Sequence, residues 1–235
     1  MEQQADRLHL GCGLNTPSGW INLDGSWNAR LAKYPFIRKL LRTLHIVPAS
    51  QLDIPWDPNT FIHDVRKPLP FQDNSFRAVY ASHLLEHLYL EEAKRLLKEC
   101  LRVLRPGGVL RMVVPDLRTI ILEYMGEKPF GNPMHDVEPV SRADQLNWRL
   151  LLRTPEPPSG NLLYRLYTAL YDFHLHKWIY DADSLIVYFK WAGFVNVQEM
   201  QFHQSRIEGI EKIELPERVL NGEGICVEGI KPETI

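Results

Sequence analysis

Cysteine, long apolar runs and a surplus of either charge are what this 235-residue sequence has least of. Its three cysteines, Cys12, Cys100 and Cys226, are odd in number, far apart and without metal-ligand spacing. They imply neither a disulfide framework nor a cysteine zinc site, and a reducing, cytoplasmic setting is expected. No apolar run approaches the roughly 20 residues that span a bilayer, and the polar start MEQQADR is unlike a signal peptide, so no membrane insertion is expected. Lys and Arg number 27 against 29 Asp and Glu, a formal charge of −2 with the basic residues scattered. The densest basic group, Arg38, Lys39 and Arg42, reads as a solvated helix face, so nothing favours a nucleic-acid partner. Internal repeats and low-complexity tracts are absent.

What is present is an ordinary globular composition, 45% apolar and 24% charged, in a length that suits one domain over residues 1–235. Leu8 to Leu10 forms a short apolar strand running into Gly11-Cys12-Gly13, and Ile21 to Leu23 is a second, ending at Asp24. Apolar spacing predicts an amphipathic helix over residues 28–45. Phe61 to Asp64 and Ala78 to Ala81 read as strands separated by a Pro- and Asp-containing turn. Residues 84–104 have helical period, stopped by Pro106-Gly107-Gly108 before the β-rich Val109 to Val114. Strands alternating with helices predict an α/β fold, Rossmann-like, with a mostly parallel sheet covered by helices on both faces. Ligands of such sheets sit at the carboxyl ends of the strands, where Gly11, Gly13, Asp24, Asp64, Ser82 and Asp116 collect. After Asp116 a helix to about Tyr124 leads into a stretch rich in Pro, aromatics and His, read as a helical insertion or cap over about 118–180. Asp183 to Ala192 is a helix stopped by Gly193, and Val195 to Phe202 and Ile225 to Ile230 are the last strands.

The glycine loop has a specific shape. Glycine permits close backbone approach to a ligand, but Asp24 follows Gly13 by only eleven residues. A dinucleotide site places a full helix and about 20 residues between the glycines and the acid. With no third glycine and no helix N-terminus, a diphosphate has no seat, whereas a ligand with a ribose and an amino-acid end needs only a few amide donors. NAD is disfavoured.

The series LHLGCG, INLD, HDVRKPLPFQDNSFRAVYASHLLEHL and LKECLRVLRPGGVLRMVVPD, over roughly residues 7–117, closely resembles the class I S-adenosylmethionine-dependent methyltransferases of the small-molecule type, the methyltransferase type 11 group. That resemblance implies a seven-stranded sheet with the last strand antiparallel, S-adenosyl-L-methionine as cofactor and methyl transfer as the reaction. It also implies that Gly11 and Gly13 pack on the methionine and ribose part, Asp24 accepts the ribose hydroxyls and Asp64 with Val65 holds the adenine. Ser82 and His83 would line the methionine side, with Glu86 and His87 at the mouth of the acceptor pocket. The stretch HKWIYDADSLIVYFKWAGF is similar to the part of these enzymes that reaches the acceptor. Two positions depart from the pattern: the first loop lacks a further Gly and a following helix, and Arg77 stands where an acid is usual.

Rival chemistry resides in the same residues. His83-Leu84-Leu85-Glu86-His87 matches the inverted zinc-hydrolase signature H-x-x-E-H, but His83 falls at a strand end and no third ligand is spaced with the pair, so no metal is expected. A protein that binds the cofactor or a nucleoside without catalysis is the other alternative. For catalysis the candidates are His87, His174 and Tyr180, with His176 beside them and His135 behind, since a histidine beside an acceptor hydroxyl can take its proton. Trp178 and Trp191 read as core. The expected acceptor is a small molecule or a saccharide-like compound, methylated at oxygen.

Overall fold

The computed structural model describes residues 5–44, 52–129, 141–152, 175–220 and 224–233. Seven strands form one sheet: β1 (Arg7–Leu10), β2 (Ile21–Asp24), β3 (Phe61–Ile62), β4 (Phe76–Ser82), β5 (Leu104–Val114), β6 (Val195–Met200) and β7 (Ile225–Ile230), in the spatial order β3-β2-β1-β4-β5-β7-β6. β7 runs antiparallel to both neighbours and every other pair is parallel, as expected of the Rossmann-like class. Strand order reverses between β1 and β4, so a crevice opens beyond the carboxyl ends of β1, β2 and β4. The glycine loop, Asp24 and Ser82 stand at those three ends.

Side chains alternate across the sheet. On one face Val79, Ala81, Leu110, Met112 and Val114 pack under α3 (Leu90–Val103) and α6 (Ala182–Ala192), whose Leu96, Leu97, Cys100, Leu185 and Phe189 are buried. On the other, Ala78, Tyr80, Val109, Val113 and Cys226 are covered, among the described residues, by Trp20 and by Ile207, Ile210 and Ile213 of a long loop with two 3-10 turns. Both sides are closed, which explains why the strands read as near-continuous apolar runs.

β5 starts at Leu104, so Pro106-Gly107-Gly108 lie inside it and not between helix and strand, and three further elements differ from the sequence reading, each for a local reason. The helix expected over 28–45 is two, α1 (Trp27–Ala32) and α2 (Pro35–Thr43). Pro35 has no N–H to continue the first and holds Tyr34 out of helical geometry, at φ −123° and ψ 78°. The helix expected from 84 begins only at Leu90, because the Glu86 carbonyl accepts the amides of Lys177 and Trp178 (2.7 and 3.2 Å) and not one from its own chain direction. Residues 85–87 are therefore a single 3-10 turn. The strand expected to reach Phe202 stops at Met200, and the Gln201 carbonyl turns to accept from Arg111 (3.1 Å). Trp178 and Trp191, expected in the core, are 43% and 52% exposed. The Trp191 ring instead carries the ammonium of Lys98 4.9 Å from its centroid, a cation–π contact that suits a half-wet indole.

Over 118–180, α4 (Leu117–Met125) is capped by Asp116 and Gly126, and α5 (Arg142–Leu150) lies against it, tied by Arg149 to the buried Glu123 (3.0 Å). His135 and His174 lie outside the described residues.

His9, in the middle of β1, is 2% exposed and lies edge-on to Trp20 and tilted against Tyr80. Burial pushes its imidazole down to about 4, against partial opposition from Asn22, its register partner on β2, and from the Asn15 backbone. The folded chain thus holds His9 neutral where the unfolded chain, with a pKa near 6.5, takes a proton. The stability that this neutrality supports is whole above pH 6.5 and drains as pH falls toward 4. Between pH 7 and pH 5 it removes roughly 2 kcal/mol. Denaturant titrations at the two pH values should show this extra loss in the native chain and not in His9→Phe; parallel losses would refute it.

Candidate active site

The loop after β1 turns back onto β2. Gly11 and Gly13 hold φ of +64° and +55°, a region that costs other residues roughly 1–2 kcal/mol. The Cys12 amide donates to the Leu23 carbonyl (3.1 Å), and the Gly13 amide donates to Oδ2 of Asp24 (3.0 Å). The other carboxylate oxygen, Oδ1, accepts the Ser26 amide (2.7 Å), and Ser26 in turn caps α1. Asp24, 7% exposed, therefore joins the glycine loop to the start of α1. Each oxygen keeps a second lone pair for an incoming hydroxyl. No helix separates β1 from β2; Asn15 ties the loop instead to the far side of the sheet through the Ile213 carbonyl (2.8 Å). A Cβ on Gly13 would meet nothing within 4 Å, so this part of the loop borders open space. Cys12 beside it is no nucleophile, because burial and then the Asp24 charge push its thiol up to about 12.

Beyond β2, a Cβ on Gly25 would lie 2.5 Å from the His63 carbonyl, so only glycine lets the ends of β2 and β3 meet. That contact brings His63-Asp64-Val65 beside Asp24. The Asp64 carboxylate is gripped by Arg66 through Nε, Nη2 and the backbone amide (2.9, 2.7 and 3.0 Å), which holds its pKa below the usual carboxylate range. Val65 is half-buried against the main core.

At the end of β4, the Ser82 hydroxyl is buried without a hydrogen-bond partner among the described residues. His83 adopts φ +50°, its Nε2 facing the Arg218 carbonyl (2.9 Å) and its Nδ1 standing 3.3 Å from Glu86. Leu84 bends back to the glycine loop: a Cβ on Gly11 would come within 3.0 to 3.3 Å of its side chain. Glu86 is fully buried. Its contact with His83 has the distance of an ion pair but not the geometry of a hydrogen bond, and neither carboxylate oxygen has a hydrogen-bond partner among the described residues. Burial opposes the Glu86 charge, but the neighbouring His83 and His87 outweigh it and the pKa ends below normal. Burial likewise opposes the His83 cation, and Glu86 with the Arg218 carbonyl more than reverses this, so its pKa ends above normal.

The chain returns to this place ninety residues later. Lys177 donates its amide to the Glu86 carbonyl and its ammonium to the His87 carbonyl (2.7 and 2.9 Å), which sets the His176 ring 5.1 Å from that of His87. Tyr180 forms an isolated bridge with Asp116 beyond β5, and its amide carbonyl caps Leu117. Its side chain is 1% exposed, and its hydroxyl, without a hydrogen-bond partner among the described residues, has a pKa raised by burial and then by Glu86.

Of the residues singled out in the sequence, Gly11, Gly13 and Asp24 are directly joined, Asp64 and Val65 adjoin them through Gly25, and Ser82, His83 and His87 adjoin them through Leu84. His174 lies outside the described residues. The zinc-hydrolase arrangement is not formed: His83 and His87 share no helix, and His83 faces Arg218 and Glu86. Glu86 and His176 were both candidates in the sequence, but the burial of Glu86 and its nearness to His176 were not legible there, because both depend on the segment at 175–178 crossing back over the 3-10 turn.

Residues 8–112, from β1 through most of β5, match the family described as a methyltransferase domain. No curated protein matches the chain in sequence. Among solved structures, similar chains include a Haloferax volcanii chain described as a methyltransferase, in complex with the activator Trm112 (14% identity, 98% of this chain and 84% of that one, TM-score 0.45). A Thermotoga maritima S-adenosylmethionine-dependent methyltransferase (16%, 97% and 83%, 0.43) and an O-methyltransferase family protein from Burkholderia thailandensis (14%, 97% and 51%, 0.45) are others. None of the three carries an inference about the acceptor. Residues 8–112 are thus similar to a methyltransferase domain, and the strand order and the glycine loop tied to Asp24 agree with the resemblance to the class I, S-adenosylmethionine-dependent type.

Proposed function

We propose that the chain transfers the methyl group of S-adenosylmethionine to a small-molecule or saccharide-like acceptor, at oxygen, as a single methyltransferase domain over 1–235 with the 118–180 segment as its cap. The observation that carries this reading is the direct bond of the Gly13 amide to Asp24 without an intervening helix, beside an open-faced Gly13. It suits a ribose and an amino-acid end and leaves a diphosphate no helix N-terminus. The orphaned hydroxyl of Ser82 fits the polar methionine end. When bound, the cofactor supplies an electrophilic methyl, and the remaining task is in-line positioning, for which effective molarity alone can be worth ~7–11 kcal/mol.

In this reading Asp24 orients the ribose, Gly11 and Gly13 admit the ligand, Asp64 and Val65 border the adenine, and Ser82 and His83 border the methionine end. Glu86, His87, His174 and Tyr180 face the acceptor. A protein that merely held the cofactor would not need, on the acceptor side, a buried carboxylate that no hydrogen bond satisfies among the described residues. Three free, buried cysteines suit a reducing cytoplasm, and the near-neutral charge suits a small acceptor better than a nucleic acid. Among the described residues no helix is long and apolar enough to cross a membrane.

Calorimetric titration with S-adenosylmethionine, and separately with NAD, tests the reading. Micromolar binding of the first and none of the second is expected; binding of NAD, or silence toward S-adenosylmethionine in a folded sample, would overturn it.

A further inference from the structure

We propose that Glu86, His87 and His176 form a site for one divalent first-row transition-metal ion such as Zn2+ or Co2+. One donor atom from each of the three lies within 4.8 Å of the others. An ion bonded at about 2.0–2.2 Å needs donors about 3 to 3.5 Å apart, so side-chain rotations that draw them in by an ångström or so complete the set.

Two features distinguish this cluster from a chance grouping of polar residues. The first is Glu86, a fully buried carboxylate with no hydrogen-bond partner on either oxygen among the described residues. His83 stands 3.3 Å away without the geometry of a hydrogen bond, and a bound cation would satisfy the oxygens that this contact leaves open. The second is the support behind both imidazoles. Nδ1 of His87 faces the Leu175 carbonyl (3.2 Å), and Nδ1 of His176 faces the Leu150 carbonyl (2.9 Å). A carbonyl can only accept, so each Nδ1 donates in these contacts, and Nε2 is the ring nitrogen that would turn to an ion. This is the outer-shell arrangement that orients metal-binding histidines. Two neutral imidazoles and one carboxylate form a donor set typical of zinc and other borderline divalent ions, and a poor one for Mg2+ or Ca2+.

The three residues come from the 3-10 turn after β4 and from the returning segment at 175–178. The ion would therefore sit beside the Leu84–Gly11 contact, on the acceptor side of the crevice. Three protein donors leave coordination positions open. On the methyltransferase reading, and only for this role, an open position takes the acceptor oxygen and lowers its hydroxyl pKa, so no side chain need act as the base. The ion set differs from the sequence signature H-x-x-E-H: His83 is replaced by His176.

Chelator-treated protein titrated with Co2+ and followed by visible ligand-field absorption, and with Zn2+ by calorimetry, tests the site. One equivalent bound at micromolar affinity or tighter is expected. Affinity should fall at least ten- to a hundredfold in His176→Ala, a half-buried position whose loss the fold should tolerate, and in Glu86→Gln. His203→Ala, an exposed histidine on the loop after β6, should bind as the native chain does. Absence of saturable binding, or equal binding by His176→Ala, overturns the proposal. S-adenosylmethionine titrated into the same samples separates the two readings, since cofactor binding without metal binding refutes only the metal site, and the converse refutes only the cofactor.

Discussion

Replacing Arg111 with Met is expected to cost roughly 3–5 kcal/mol of folding stability, a fall in melting temperature of about 6–20 °C for a chain of this size. Arg111 lies in the middle of β5 with no exposed surface. Its Nε and Nη2 donate to Glu214 (2.7 and 2.9 Å), its Nη1 to Glu228 (3.0 Å), and the remaining protons go to the Gln204 and Gln201 carbonyls (3.0 and 3.1 Å). Glu214 and Glu228 are themselves 1% and 0% exposed, and they also hold the His203 amide, the Ser205 hydroxyl and the Arg206 amide. Removing the guanidinium leaves two carboxylates buried, with the Arg206 guanidinium 3.8 Å from Glu228 as the remaining opposite charge among the described residues and none beside Glu214. The expected cost is that of uncompensated charge, and it exceeds the net worth of the ion pairs themselves. Arg111→Met combined with Glu214→Met and Glu228→Leu should therefore recover most of the loss. Denaturant unfolding of the single and triple variants checks this, and a single variant that loses less than about 1 kcal/mol would show that the network is not what holds the 201–219 loop on the sheet. Because Asn15 is bonded to Ile213 in that loop, the single variant should also loosen the glycine turn.

Asp24→Ala is expected to weaken S-adenosylmethionine by about 1.5–3 kcal/mol, roughly ten- to a hundred-and-fifty-fold in Kd. Two effects act together. The carboxylate accepts the Gly13 and Ser26 amides, so it shapes the loop before any ligand arrives. Its spare lone pairs then receive the ribose hydroxyls as charge-assisted bonds. Asp24→Asn keeps one acceptor oxygen and replaces the other by a donor that faces an amide, so an intermediate loss is expected. Calorimetry on variants whose circular dichroism is native checks it, and an unchanged Kd in folded Asp24→Ala would remove Asp24 from the cofactor site.

The sheet was legible in the sequence because its information is local. Leu8 to Leu10, Ile21 to Leu23 and Val109 to Val114 are apolar runs with nowhere to go but a sheet covered on both faces, and the turn residues after them mark where each strand ends. The glycine loop was legible for the same reason: the eleven residues from Gly13 to Asp24 are too few for a helix and a return. The helix over 28–45 misled, since its apolar spacing is real while Pro35 divides it and Phe36, Leu40 and Leu44 remain exposed. Arg111 was invisible, because a charged residue inside an apolar strand signals nothing until its two partners, more than a hundred residues later in the chain, are folded onto it.

Composition, periodicity and turn residues alone thus determined the α/β class, the order of the strands along the chain and the residues at their carboxyl ends, and the resemblance of those motifs pointed to the cofactor. Each of those properties depends on neighbours within a few positions, where side-chain period and backbone sterics act directly. Tertiary structure alone decided that the helix at 84 would break into a single turn, that Glu86 would be buried without a hydrogen-bond partner among the described residues, and that His176 and not His83 would stand with His87. These follow from one long-range event, the Lys177 and Trp178 amides reaching the Glu86 carbonyl. A backbone acceptor taken by a distant strand of chain is unavailable to its own helix, and no local pattern records which way that competition falls.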